Sequence, residues 1–400
     1  MSKERTPVIV SAARTAIGRF GGTLSQMMAT DLGAVAIRAA VERAGIDPAT
    51  IDEVFMGSVV PAGLGQAPAR QASIKAGIPA RVGAVTLNKV CGSGLKTAMM
   101  AAGLIKAGDG DIYVAGGMEN MNMAPYLLQQ GRTGYRLGHG QLLDACVHDG
   151  LWCAFEDQHM GLAAEWIAEE YGVTREEQDQ FALASHQKAI AAQDEGRCKD
   201  EIVPIEIPHR KREPLVLDTD ESPRRDSSLE KLARLRPVFK RDGTVTAGNA
   251  SAITDGAAAV VVMSQAKADE LGIEPLARIT GYAYGAVEPI EIFTAPAFAM
   301  RYLMRKNGTT LADYDLFELN EAFAAQCLGD GKLLADEGWD WDKVNVNGGA
   351  IALGHPIGCS GTRVLVTLLY ALQQRDLKTG VASLCLGGGE AVAMSVEMVS

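Results

Sequence analysis

The chain has 400 residues, 47% of them hydrophobic and 22% charged, with a net charge of −11 at pH 7. That length exceeds what one hydrophobic core usually holds, so two or three domains are expected. The acidic balance argues against a general nucleic-acid binder, and no apolar run approaches the ~20 residues of a membrane helix.

The seven cysteines are scattered and include no Cys-x-x-Cys pair. A disulfide framework or zinc site is therefore not expected, and a reducing cytoplasm fits the composition. Pro7-Val8-Ile9-Val10 is short and followed by Arg14, so it reads as a first strand and not a signal peptide. Asp31 to Gly45 has helical spacing, with Asp31 expected as N-cap and Gly45 closing the helix. Ile51 to Gly57 and Ala84 to Asn88 read as strands.

Next comes Val90-Cys91-Gly92-Ser93-Gly94-Leu95-Lys96, after which Leu95, Ala98, Met99, Ala102 and Ile105 recur at helical spacing. Cys91 thus falls in a tight turn between strand and helix, where Gly92 and Gly94 supply the backbone freedom a turn needs. A thiol at a helix start is expected to favour the thiolate, with its pKa drawn from about 8.5 to roughly 3.5–7.5. On this stretch alone, nucleophile and buried small hydrophobe are equal readings. Asp111 to Ala115 is a short apolar run, expected as a buried strand ending at Gly116-Gly117.

Residues 120–249 differ in character and read as a long insertion. One helix is marked by a capping box, Thr174 and Glu177. The rest is polar, Pro-punctuated and basic. Between His209 and Arg241 stand ten Lys/Arg and six Asp/Glu, a local net charge of +4. That excess suits either a solvated surface loop or the attraction of an anionic small molecule.

The far end of the chain repeats the near end. Tyr314 to Leu319 follows Gly308 much as Ile51 to Met56 follows Gly45. Cys359-Ser360-Gly361-Thr362-Arg363 opens a helix, as Cys91-Gly92-Ser93-Gly94 does. Val381 to Leu386 ends in Gly387-Gly388, as the 111–115 run ends in Gly116-Gly117. This is an internal duplication of a β/α unit, and a site between the two halves is the natural place for chemistry.

Three further stretches carry reactive groups: Asn320-Glu321-Ala322-Phe323, Gly354-His355-Pro356-Ile357-Gly358 and Cys385-Leu386-Gly387-Gly388-Gly389. His355 stands opposite Cys91 in the repeat, and Cys with His is an activated nucleophile. A second thiol, Cys385, suits proton transfer at carbon because its pKa is expected near working pH. Asn320 takes no proton but can orient a water.

With Asn88 to Lys96, Gly116 to Met121 and Thr246 to Ser251, these stretches resemble the thiolases, closest to the biosynthetic kind, over nearly the whole chain. The resemblance implies an α/β fold, a duplicated αβαβα layered core with an inserted loop domain. Its parts are 1–119 with 250–275, 120–249, and 276–400. It implies an acyltransferase that condenses two acetyl-CoA reversibly to acetoacetyl-CoA, with coenzyme A as substrate or product and no other cofactor or metal. It also implies a homotetramer, a dimer of dimers, with no nucleic-acid or membrane partner.

Position by position, Cys91 matches the acylated nucleophile, His355 its base and Cys385 the acid/base at the α-carbon. Asn320 matches the residue whose water forms one oxyanion hole with His355; the N–H groups of Cys91 and Gly387 match the other. His159 and Met160 match the channel for CoA, Phe239, Ser251 and Phe323 the pantetheine arm or acyl pocket, and Arg224 the nucleotide end. Two stretches depart from the pattern, Trp152-Cys153-Ala154-Phe155 and Phe293-Thr294-Ala295-Pro296. The first falls near the acyl pocket, so acyl-chain length stays open. Cys146, Cys153, Cys198 and Cys327 match nothing catalytic and read as structural. The competing readings are a broader 3-ketoacyl-CoA thiolase, a non-catalytic acyl-CoA binder, and a redox or metal protein using Cys91, Cys385 and His355.

Overall fold

The computed structural model describes residues 3–207 and 213–399, so His209, Arg210, Lys211 and Arg212 of the basic stretch lie outside the described residues. Nine main strands form one sheet: β1 (Pro7–Thr15), β2 (Glu53–Gly57), β3 (Gly83–Leu87), β4 (Ile112–Asn120), β5 (Thr254–Ser264), β6 (Ala277–Ala286), β7 (Leu316–Leu319), β8 (Thr379–Leu386) and β9 (Glu390–Met398). Their order is β7-β8-β9-β6-β1-β5-β4-β2-β3.

The duplication is visible in that order. From its centre, one half runs β1-β5-β4-β2-β3 and the other β6-β9-β8-β7. In both, two antiparallel pairings are followed by a parallel one. The parallel partner β3 has its counterpart in the bridge between Phe317 and Val344. Even the irregularities repeat: a register shift falls between Ile9 and Ser11 of β1 and between Ile279 and Gly281 of β6. The halves join where Val8 meets Arg278 and Ile9 meets Ala277.

Six helices matter for the site: α1 (Ala29–Ala44), α2 (Ser93–Ala107), α3 (Met160–Glu170), α4 (Arg175–Asp194), α5 (Ala295–Asn307) and α6 (Ile357–Gln374). The corresponding helices α1 and α5 stop on Gly45 and Gly308, at φ 65° and 69°, left-handed caps that glycine takes without steric cost. The other corresponding pair, α2 and α6, pack against each other, and α6 is buried along most of its length. Their N-termini carry the two reactive loops.

Three expectations need correction. Asp31 is not the N-cap of α1; the helix starts after Met28, and Asp31 pairs with Lys75 at 2.7 Å from its first turn. A carboxylate there still favours the positive end of the helix dipole. The strand expected to end at Gly116-Gly117 runs on to Asn120. Its glycines serve close packing: a Cβ on Gly116 would lie 2.7 Å from the Met56 sulfur, and one on Gly117 would strike the backbone of Gly358 at the start of α6.

The insertion is also more ordered than one helix. The Thr174–Glu177 capping box is present on α4, and α3 precedes it. Ile202–Val203 joins the core sheet beside β1, and buried Arg14 pairs with Glu201 and Asp220 at 2.7 Å each. An unpaired charge buried so deeply would be costly, so these pairs tie the insertion to the core.

Candidate active site

The Cys91 turn is strained, but not where the glycines are. Val90 takes the left-handed backbone, φ 45°, an outlier for a β-branched residue. Asn88 Oδ1 accepts from Val90 N at 2.9 Å and Ser93 Oγ accepts from Lys89 N at 2.8 Å, which holds the turn. Gly92 has an ordinary φ of −76°. Gly94 is needed for space, since its Cβ would lie 2.6 Å from Thr362 N of α6. Lys89 reaches Glu390 at 2.7 Å and so ties this loop to the second half.

The expected resting thiolate is not found. Burial pushes the Cys91 thiol up to about 12, against the pull of the N–H groups of Cys91 and Gly387, and the charge of Glu119 adds to the rise. The helix begins only at Ser93, and its dipole does not offset the burial.

His355 sits between Gly354 and the start of α6, with its N–H bonded to Ala252 O at 3.1 Å. The residue is 6% exposed. Burial, with the charge of Arg363, lowers its pKa to about 3, so it rests neutral. Nδ1 lies 2.6 Å from Ser360 Oγ, and Nε2 has no hydrogen-bond partner among the described residues. Cys385, near the end of β8, is also buried. Burial and the proximity of Cys91 raise its pKa well above the usual thiol value, not near working pH as expected.

Asn320 follows β7 and is fully buried, and neither Oδ1 nor Nδ2 has a hydrogen-bond partner among the described residues. Its neighbour Glu321 fixes the loop by accepting from Ser185 Oγ (2.6 Å), Asn345 Nδ2 (2.9 Å) and Ile351 N (3.1 Å).

Cys91, His355, Cys385 and Gly387 face one cavity of about 1020 Å³. His159, Met160, Arg224, Phe239, Ser251 and Phe323 line the same cavity; Asn320 is the one expected site residue that does not. His159 stacks on Phe239 with ring centres 4.7 Å apart and caps α3 by accepting from Gly161 N at 3.0 Å. Phe323 meets Phe239 and Phe293 edge-on, at 6.2 and 5.3 Å. A neighbouring cavity of about 710 Å³ shares Arg224, Ala247, Ala250, Ala252 and Ile253 as walls. A third, about 320 Å³ beside Phe181 and Trp341, holds none of the expected site residues but does hold Glu321.

The local +4 overstates the free charge near Arg224. Arg225 pairs with Asp194 and Lys231 with Asp226, each at 2.6 Å, and Lys240 pairs with Glu169. Arg224 forms no ion pair among the described residues; its backbone N–H bonds to His186 Nδ1 at 3.2 Å.

Both departing stretches reach the site. Trp152, Cys153, Phe155 and Phe293 line the main cavity, so Cys153 is a cavity-wall thiol and not merely a core residue. Two residues of the quoted stretches carry no role in the sequence reading. Ser360, five positions after His355, touches its ring. Glu119, fully buried, accepts from Val59 N, Val60 N and Gly358 N at 2.8, 3.2 and 2.9 Å. It follows the Gly116-Gly117 pair by two residues, and a carboxylate inside an apolar strand was the available signal.

The sequence matches the family description "Thiolase, N-terminal domain" over residues 7–266 and "Thiolase, C-terminal domain" over residues 273–398. It is 56% identical over 389 residues to an acetyl-CoA acetyltransferase of Pseudomonas aeruginosa, covering 97% of this chain and 98% of the relative. It is 55% identical to that of Cupriavidus necator over 390 residues, 98% of each chain. Among solved structures, the acetyl-CoA acetyltransferase of Bacillus anthracis superposes with a TM-score of 0.96 at 44% identity, covering 98% of this chain and 99% of that one.

Proposed function

The chain belongs to the thiolase family, and we propose that it condenses two acetyl-CoA to acetoacetyl-CoA and CoA, and runs the reverse thiolysis, through an acetyl-Cys91 intermediate. The observation that carries this reading is the meeting of two thiols and one imidazole in a single cavity.

Neutral groups set the order of proton moves. Cys91 Sγ attacks the acetyl carbonyl as its proton passes to His355 Nε2. The carbon–sulfur bond to CoA breaks, and the leaving thiolate takes the proton of Cys385. The acetyl-enzyme then holds an imidazolium beside a Cys385 thiolate, and CoA departs as the thiol. The thiolate removes an α-proton from the second acetyl-CoA, and the new carbanion attacks the acetyl-Cys91 carbonyl. Cys91 leaves and recovers its proton from His355, so all three groups return to neutral. The N–H groups of Cys91 and Gly387, which draw on the Cys91 sulfur, serve as donors to one developing oxyanion in this reading; the amide of Asn320, unpartnered among the described residues, orients a water for the other.

The adjoining cavities suit a long substrate. The main cavity takes the acyl and pantetheine portions, along Met160, Phe239, Ser251 and Phe323, and the neighbouring one the nucleotide. Arg224 stands in the wall of both. Arg224→Glu is expected to raise the KM for CoA substrates about tenfold and leave kcat near the parent value, as when uniform binding is lost. Raising salt should weaken parent binding too. An unchanged KM removes Arg224 from the nucleotide site.

The second reading is a thiolase of broader chain length. Trp152, Phe155, Phe293 and Phe323 fill much of the cavity wall with rings and favour a short acyl group. A panel of 3-ketoacyl-CoA substrates tests this. The expected result is a fall in kcat/KM of about tenfold or more from acetoacetyl-CoA to its homologue two methylenes longer. A flat profile selects the broader enzyme.

The same reading carries a cytoplasmic homotetramer, a dimer of dimers, with CoA as substrate and no resident cofactor. The unpaired edge of β3 and the exposed Leu128, Leu137 and Leu142 of the insertion offer surface for such contacts. Among the described residues, no helix is long and apolar enough to cross a membrane, and no group of three or more His, Cys, Asp or Glu is placed to hold a metal.

A further inference from the structure

A base at His355 needs a free lone pair on the ring nitrogen that takes the Cys91 proton, so the tautomer of the imidazole matters. Nδ1 lies 2.6 Å from Ser360 Oγ. Ser360 is fully buried in the first turn of α6, and its Oγ is 3.0 Å from the carbonyl oxygen of Pro356. A serine hydroxyl has one proton to give, and a carbonyl oxygen can only accept. Two acceptors compete for that proton, Nδ1 and Pro356 O, the latter also taking the backbone N–H groups of Cys359 and Ser360 at 2.9 Å each; Pro356 O is the usual back-bond partner of a serine one helical turn on. With the proton on the Pro356 side, the Ser360 oxygen meets Nδ1 with a lone pair and Nδ1 carries the hydrogen.

We propose that Ser360 is a positioning residue that fixes His355 as its Nδ1–H tautomer and keeps the Nε2 lone pair free to receive the Cys91 proton. The proposal rests on the reading of His355 as that base. No bond to Ser360 forms or breaks in the step. The proton leaves Cys91 Sγ as Sγ bonds to the acyl carbon, Nε2 gains it, and Nδ1–H stays on Ser360. In the opposite tautomer Nε2 already holds a hydrogen and cannot accept.

The choice of a hydroxyl over a carboxylate has a consequence. A carboxylate on Nδ1 would stabilise the imidazolium and raise the basicity of the ring. On its Nδ1 side the ring meets the neutral Ser360 hydroxyl, and at longer range it feels the positive Arg363. Neither holds a proton on the ring, so His355 gives it back readily when Cys91 leaves. This matches a cycle that starts and ends with neutral groups.

The chain has six histidines, few enough for nitrogen NMR on protein labelled in histidine. The His355 signal is identified by its loss in His355→Asn. The expected spectrum shows Nδ1 protonated and Nε2 bare between about pH 6 and pH 8, and the reverse pattern overturns the proposal. Kinetics give an independent reading. Ser360→Ala should lose roughly 10- to 100-fold in kcat for acetylation of Cys91 with little change in KM, and Ser360→Thr, which keeps the hydroxyl, should recover most of it. A folded Ser360→Ala with the parent kcat overturns the proposal, as does a folded Ser360→Thr no better than the alanine variant. Failure of the underlying reading looks different: His355→Ala would then acetylate Cys91 at the parent rate.

Discussion

Replacing Cys91 with alanine is expected to abolish acetyl transfer in both directions, a loss of roughly 10⁴-fold or more, or about 5 kcal/mol or more of transition-state stabilisation. Affinity for CoA should stay within a few-fold, because Met160, Arg224, Phe239 and Ser251 remain in place along the cavities. Labelled acetyl-CoA should mark a Cys91 peptide in the parent and nothing in the variant. Label on another cysteine, or normal turnover by the variant, rejects the assignment.

The same thiol gives a pH signature. A thiol at about 12 is ionised to only about one part in 10⁵ at pH 7. Its alkylation by iodoacetamide in the free enzyme should therefore climb about tenfold per pH unit from roughly pH 7 to pH 10. A stable thiolate–imidazolium pair would give a plateau from mildly acidic pH. Such a plateau would show that the resting pair is ionised and that the neutral cycle is wrong.

The parts of the fold that were legible in the sequence are those set by local pattern. Helix caps at Gly45 and Gly308, the Thr174–Glu177 box and the short apolar strands all depend on neighbouring residues, and the duplication showed because both copies keep the same punctuation. The residues expected at the site rest on a different source. Ten of the eleven line one cavity, and the resemblance supplied their roles, not the spacing.

What the sequence concealed depends on distance in the fold. The strain falls on Val90 and the close approach on Gly94, and only the position of α6 explains the latter. The pKa expectations for Cys91, drawn from the helix start, and for Cys385, drawn from the ordinary thiol value, both leave out burial, which raises each thiol. The polar stretch after α4 looked like a loop because its partner, Arg14, lies about two hundred residues away in β1.

Cys385→Ser should separate the two halves of the reaction. Acetylation of Cys91 requires His355 and an oxyanion hole; Cys385 serves there only to protonate the departing CoA, a task that water or buffer can share. Condensation additionally requires a base at the α-carbon of the second acetyl-CoA. Cys385 is raised well above the ordinary thiol range by burial and by Cys91, so it becomes a base only once it has given its proton to CoA and an imidazolium has formed at His355. Serine is far less acidic than any thiol and does not reach that state. The variant should still form acetyl-Cys91, more slowly. It should lose condensation, and with it exchange of the acetyl methyl protons with solvent, by roughly 10³-fold or more. Cys91→Ser should show the opposite order, losing acetylation first. Acyl-enzyme formation by mass spectrometry and methyl exchange in deuterated water, measured on both variants, decide the matter. Undiminished exchange in Cys385→Ser would mean that another group takes the α-proton, and the division of labour between the two thiols would fall.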